Sequence, residues 1–129
     1  MGRPVRTTSR VFGGAALLLA LTAAALPAAL SQASAGLWEI SRSDGGRRNV
    51  CIANPIMLTQ YEHLRGKCTR ELIRDQGRKA EYSYSCAGGG FGQSTIEQIT
   101  PRSLRVETQG ISQGAPFHYV LQARRIGDC

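Results

Sequence analysis

Four cysteines are the residues of this chain whose types and spacing most directly imply chemistry. They are Cys51, Cys68, Cys86 and Cys129, and the last of them ends the sequence. Four thiols with none left over fit two disulfide bonds, which form and persist in oxidising compartments. Structural zinc sites usually take cysteines in close pairs, and redox motifs need two neighbouring cysteines. Since the closest two here are 17 positions apart, we expect structural disulfides, no metal site and no cofactor.

The pairing of the cysteines is only partly indicated by their spacing. Cys68 and Cys86 lie almost symmetrically about Gly77, so a hairpin with a three-residue loop would bring them face to face. This favours a Cys68–Cys86 bridge together with Cys51–Cys129. The rival arrangement joins Cys51 to Cys68 across a helix and Cys86 to Cys129. Spacing alone leaves all three connectivities open.

Two histidines are the remaining candidates for acid–base chemistry. His63 falls on a predicted helix and His118 on the predicted last strand, and neither has a serine or cysteine nucleophile signature beside it. We therefore expect a protein that is not an enzyme. The alternative is a hydrolase acting on cell-envelope material, in which His63 or His118 works with Glu62 or Asp128. That mechanism requires these groups to converge in one cleft.

Paired basic residues could contact an anion. Arg47 and Arg48 form one pair, and Arg124 and Arg125 form the other. If their strands end close together, they could bind lipid head groups or acidic glycans. Strand alternation, however, places the two members of each pair on opposite faces of a sheet. The glycine run at 88–92 is predicted to be a loop, because a strand rather than a helix follows it.

The N-terminus has the pattern of an export signal. Three arginines precede an almost wholly apolar stretch at 11–30, with no acidic residue nearby; they are Arg3, Arg6 and Arg10. Ala33-x-Ala35 suits a signal peptidase, and a second cut could follow Ala33. A stretch of this length could instead anchor the chain in a membrane, but Pro27 interrupts it. We expect residues 1–35 to be a cleaved signal peptide and 36–129 to be the mature domain, with no stable membrane span.

The mature part is small and only moderately basic. Removing the three signal arginines from its 94 residues leaves 13 Lys and Arg against 9 Asp and Glu, a net charge of about +4 rather than +7. Because this net charge is small, we expect the protein not to bind nucleic acid. A domain of this size buries roughly 60–65% of its unfolded surface. Two disulfides are therefore expected to supply a large part of its stability.

The mature part is predicted to consist mainly of β-strands. Strands are predicted at 36–41 and 47–52, on either side of a turn at 43–46, and further strands are predicted over 67–74, 79–86, 95–100, 104–108 and 117–123. Asn54-Pro55 predicts the start of one helix, which presents Met57, Tyr61 and Leu64 on one face and ends at about 65. The expected fold is mainly β: a single small antiparallel meander sheet or partly closed barrel with one short helix, held by disulfides.

The mature part also resembles a known family, the small exported bacterial proteins grouped as domain of unknown function 3617. The matching features are Gly36-Leu37-Trp38-Glu39 at its start, Cys51-Ile52 before a helix, the two hairpin cysteines, and Arg124-Arg125-Ile126-Gly127-Asp128-Cys129 at its end. The resemblance implies a periplasmic or secreted protein. It implies no activity, because the family has none assigned.

These features together predict a non-catalytic exported envelope protein. A disulfide-held β domain can bind another envelope protein through a sheet edge, or hold a small apolar or anionic ligand against the sheet. Neither occupant is identified by the sequence.

Overall fold

The structure is a computed structural model that describes residues 2–4 and 26–129. Most of the predicted signal peptide falls outside the described residues. The described part contains a short helix α1 (Ala28–Ser31), a 3₁₀ helix (Pro55–His63) and seven strands: β1 (Gly36–Arg42), β2 (Arg47–Ile52), β3 (Cys68–Gln76), β4 (Lys79–Cys86), β5 (Gly90–Thr100), β6 (Ser103–Ser112) and β7 (Ala115–Gly127).

The seven strands form one antiparallel sheet that is mainly but not entirely a meander. Their order across the sheet is β2-β1-β7-β6-β5-β4-β3, so β2 and β3 are the two edges. The predicted antiparallel β fold is confirmed, and within the described residues the sheet is open rather than closed into a barrel. The chain must cross from one edge to the other between β2 and β3. The 3₁₀ helix is part of that crossing.

One face of the sheet carries the hydrophobic core, and we call it the core face. Alternation along the strands places the buried side chains on it, and these include Trp38, Ile40, Ile96, Val106 and Leu121. The 3₁₀ helix covers part of this face, packing on β4, β5 and β6. The opposite, outer face is largely exposed.

The predicted helix is present, but it is a 3₁₀ helix rather than an α-helix. As expected, the Asn54 side chain accepts a hydrogen bond from the Ile56 N–H at 3.2 Å, and Pro55 takes the first helical position. The helix bends at Gln60, whose φ and ψ are −119° and 34°. The Gln60 amide is buried and donates to the carbonyl oxygens of His63 and Gly66. These contacts hold the turns tight, and local propensity could not have indicated them.

The β3–β4 hairpin brings Cys68 opposite Cys86 by a different route from the one expected. Gln76 pairs with Lys79, so the turn has two residues, and a bulge near Ile73 shifts the register by one. The two cysteines are disulfide-bonded, with Cα atoms 3.9 Å apart. A shorter turn and an extra residue in one strand thus give the same pairing as a longer turn would.

A second disulfide joins Cys51 to Cys129, with Cα atoms 5.8 Å apart and 78 positions of chain between them. Cys51 lies on edge strand β2, and the C-terminus follows β7, two strands away. The bridge therefore fastens an edge strand and the chain end to each other. The structure therefore has the connectivity that the sequence favoured, with Cys68–Cys86 and Cys51–Cys129 bonded.

The glycine run is partly strand, which corrects its prediction as a loop. β5 begins at Gly90, so only positions 87–89 form the connection from β4. A Cβ on Gly90 would overlap the imidazole ring of His63, and one on Gly92 would lie 2.7 Å from the Tyr84 hydroxyl oxygen. The glycines of this strand are needed for close approach of side chains from the core face.

Candidate functional site

A cavity of about 1040 Å³ lies at the β1–β2 end of the core face. We call it the arginine cavity. Strands β1 and β2 with their connecting turn form one side, and the end of the 3₁₀ helix forms the other. Its charged and polar lining residues are Arg42, Asp44, Arg47, Arg48, Asn49, Tyr61, Glu62 and Arg65. Its apolar wall includes Ile40, Val50 and Leu64.

One of these arginines is already neutralised by the protein. The Arg42 guanidinium donates to the Asp44 carboxylate at 2.6 Å and lies 3.5 Å from Glu62. It also stacks 3.8 Å from the centre of the Tyr119 ring, a cation–π contact. The hydrogen bond to Asp44 is the main cause that raises the pKa of Arg42, and the same bond lowers the pKa of Asp44. Arg42 therefore serves as a structural contact in the wall.

Glu62 and Tyr119 complete that wall. The Tyr119 hydroxyl donates to a Glu62 carboxylate oxygen at 2.7 Å. Tyr119 is 2% exposed, and burial, followed by the hydrogen bond to Glu62, raises its pKa. The phenol stays protonated and donates, so it holds Glu62 in place at neutral pH.

Three further arginines of the cavity have no such partner. Within the described residues, no carboxylate lies within ion-pair distance of Arg47, Arg48 or Arg65, whereas most of the other arginines have one. Register places Arg48 opposite Ile40, so its side chain belongs to the core face. Burial raises the pKa of Tyr61, and the positive charges of Arg48 and Arg42 act in the opposite direction. The cavity thus presents uncompensated positive charge beside a phenol and an apolar wall.

The second predicted arginine pair does not line this cavity. Arg124 lies 3.3 Å from Glu39, and Arg125 lies 2.5 Å from Asp128. Register places Arg124 opposite Glu39 and Arg125 opposite Trp38 on the neighbouring strand β1. The two pairs are therefore near each other across β1, but each arginine of the second pair is already ion-paired.

The structure separates the two histidines that were predicted as acid–base candidates. His63 shares a 3.0 Å hydrogen bond with the Tyr84 hydroxyl, and its ring packs edge-on against Tyr84 and Phe117. Its Nε2 atom is buried without a hydrogen-bond partner in the described part of the chain. His118 lies on the outer face, where it is exposed and 3.3 Å from Glu107. The two histidines are thus on opposite faces of the sheet.

A second, shallower depression of about 890 Å³ lies on the outer face. Gly92 and Gly110 are paired in the register, and both line this depression. Phe91, which is 55% exposed, lies on its rim. Two glycines facing each other on adjacent strands cannot be read from sequence until the register is known.

Two of the three unpaired arginines, Arg47 and Arg48, were predicted from the sequence as anion contacts, and Arg65 was not. Arg65 follows the 3₁₀ helix, and only the crossing connection brings it next to β2. Glu62, the predicted catalytic partner of a histidine, also has a contact that depends on the fold, because it accepts a hydrogen bond from Tyr119. No local pattern could have indicated either contact.

Comparison with known proteins gives one match. A family model described as "Protein of unknown function (DUF3617)" matches residues 33–129. No curated protein and no solved structure matched the chain. Among residues 2–4 and 26–129, no helix combines the length and apolar character needed to cross a membrane. The same residues contain no group of three or more His, Cys, Asp or Glu that could hold a metal ion.

Proposed function

Since the chain belongs to the DUF3617 family of proteins of unknown function, we propose a function from its own cavity: it is an exported, non-catalytic envelope protein that binds a small amphiphilic anion in the arginine cavity. The observation that carries this proposal is the set of three arginines without carboxylate partners around one cavity. The other arginine of the cavity is matched by acidic side chains, so the excess charge is local.

The cavity has the size and composition of a small-molecule site. Such sites typically measure about 300–1,000 Å³ and combine apolar walls with a few charged or polar groups. Here Ile40, Val50 and Leu64 supply the apolar wall, and Arg48 and Arg65 supply donors that suit a carboxylate or phosphate. A ligand with an anionic head and a short apolar tail would use both.

Export is supported by independent features. The basic and then apolar N-terminus has the form of a secretory signal, and two disulfides are typical of proteins in oxidising compartments. A periplasmic or secreted location follows from this part of the proposal.

Binding is favoured over hydrolysis because of how the acid–base groups are engaged. His63 is enclosed by Tyr84, Phe117 and Gly90, and Glu62 accepts from Tyr119. A general base must lie within hydrogen-bond reach of the proton that it removes, and the free ring nitrogen of His63, Nε2, is buried.

Calorimetric titration of the purified protein with octyl phosphate tests the proposal. Octanol is the matched neutral probe, and inorganic phosphate separates recognition of the head from recognition of the tail. We expect octyl phosphate to bind more tightly than either. The double variant Arg48→Ala/Arg65→Ala should bind it at least about tenfold more weakly, which corresponds to about 1.4 kcal/mol.

The control is Arg102→Ala, which removes an exposed arginine from the β5–β6 turn, away from the cavity. It should bind octyl phosphate like the unaltered protein. Equal affinities for the double variant and the unaltered protein would rule out the cavity as the anion site. Equal weakening by both substitutions would mean that only overall charge matters.

A further inference from the structure

We propose that the exported protein keeps residues 27–35 as the first segment of its folded domain, so that processing takes place upstream of Pro27 and not after Ala35. The segment contributes directly to the core. Ala29 is 0% and Leu30 2% exposed, and both belong to the same hydrophobic cluster as Trp38 and Ile96. Helix α1 packs on β4 and β5, a part of the core face that the 3₁₀ helix covers only partly.

The same segment also satisfies polar groups of the domain. The indole N–H of Trp38, a residue that is 0% exposed, donates to the Ser34 carbonyl oxygen at 3.1 Å. The amide of Gln98, 8% exposed, donates to Gln32 at 3.2 Å. Arg125 Nε donates to the Ala35 carbonyl oxygen at 2.9 Å. A cut after Ala35 would remove all three acceptors and leave two buried donors without partners.

The sequence accommodates an upstream cut. The apolar region of a signal peptide usually has about 7–15 residues. The stretch at 11–21 has 11 residues, whereas the whole stretch at 11–30 has 20. Ala23-Ala24-Ala25 follows the shorter stretch and places small residues at both positions that a signal peptidase reads. The family match also begins before Gly36, at residue 33.

The retained segment defines what remains open on the core face. With α1 over β4 and β5 and the 3₁₀ helix over the central strands, the arginine cavity lies beside β1 and β2, away from the strands on which α1 packs. This inference rests on the export part of the proposed function and not on ligand binding.

The test is the N-terminus of the exported protein. The full chain, without a tag, is expressed in a Gram-negative bacterium, and the periplasmic protein is analysed by intact mass and N-terminal sequencing. We expect a chain that begins at or before Pro27. A chain that begins at any residue from 28 to 36 overturns the inference and leaves export standing. A full-length chain found only in the cytoplasm overturns both.

Matched variants locate the cut. Ala25→Leu places a bulky residue where an upstream cut requires a small one, so the precursor should accumulate or its cut should move. Ala35→Leu makes the same change at the other site and should leave the mature mass altered only by the substitution. The reverse pattern would overturn the inference.

A stability measurement separates a structural segment from a loosely attached one. Leu30→Ala should lower the melting temperature of the exported protein by about 5 °C or more, because it empties a fully enclosed position. Leu26→Ala is the control, since Leu26 is 52% exposed, and it should shift the melting temperature by about 1 °C or less. Equal melting temperatures for the two variants would overturn the structural role.

Discussion

The two disulfides should differ in how much they stabilise the domain, and the difference can be calculated from the chain lengths that they close. Cys51–Cys129 closes 78 positions and Cys68–Cys86 closes 18. The chain-entropy relation gives about 4.5 kcal/mol for the longer loop and about 3 kcal/mol for the shorter one at 25 °C. Small domains are stable by about 5–15 kcal/mol in total. The longer bridge alone therefore accounts for a large part of the stability.

The perturbation is the paired replacement of each bridge by alanines, Cys51→Ala/Cys129→Ala and Cys68→Ala/Cys86→Ala. Urea unfolding can be followed by fluorescence, since the chain has a single tryptophan, Trp38, which is fully buried. We expect the first variant to lose about 4–5 kcal/mol and the second about 3 kcal/mol. A first variant that is unfolded without urea fits the upper end of this range. The reasoning fails if the variant without Cys68–Cys86 is the less stable of the two.

Three other predictions concern the core face. Tyr119→Phe removes the hydroxyl that donates to the Glu62 carboxylate, so it should lower the free energy of unfolding in urea by about 1–3 kcal/mol. Tyr82→Phe is the control and should leave that free energy nearly unchanged, because the Tyr82 hydroxyl has no side-chain partner in the described part of the chain. Gly90→Ala places a Cβ where the His63 ring packs and should lower the free energy of unfolding by about 1–3 kcal/mol. Gly127→Ala is the control, because a Cβ there would meet nothing, and equal stabilities of the two variants would contradict the packing argument. Burial raises the pKa of all four tyrosines, that of Tyr84 to about 12, so the stability that they contribute is complete below the ordinary pKa of about 10 and is lost as the pH rises towards the folded values. Phenolate absorbance should therefore rise together with unfolding above pH 10, and independent titration of the four tyrosines near pH 10 in the folded protein would refute this.

Strand positions were predictable because their causes are local. Leu104 and Val106 alternate with polar residues, and they are buried on β6 as that alternation requires. The start of the helix was equally local, since Asn54 and Pro55 act on the first turn only. The helix type was not predictable, because the bend at Gln60 depends on hydrogen bonds formed beyond the helix end.

The open sheet and the cavity depend on causes that are not local. β1 pairs with both β2 and β7, so the first and last strands of the sequence become neighbours. Arg42, Glu62 and Tyr119 come from three separate segments and meet only after that pairing. The N-terminal segment was predicted to leave the protein because Ala33-x-Ala35 fits a cleavage rule. That rule contains no information on whether Leu30 has a place in the core.

The position of the arginine cavity follows from the path of the chain across the sheet. The 3₁₀ helix packs on β4, β5 and β6, so the core-face positions of β2 become less enclosed toward its start. Ile52 is buried, Val50 is partly buried and Arg48 is exposed, although all three share the core face by register. An apolar residue at position 48 would form part of an exposed hydrophobic patch. An arginine at this position stays hydrated and directs its charge into the cavity. The informative sequence signal is therefore not the arginine pair itself. It is an arginine at a strand position whose alternate neighbours are core residues.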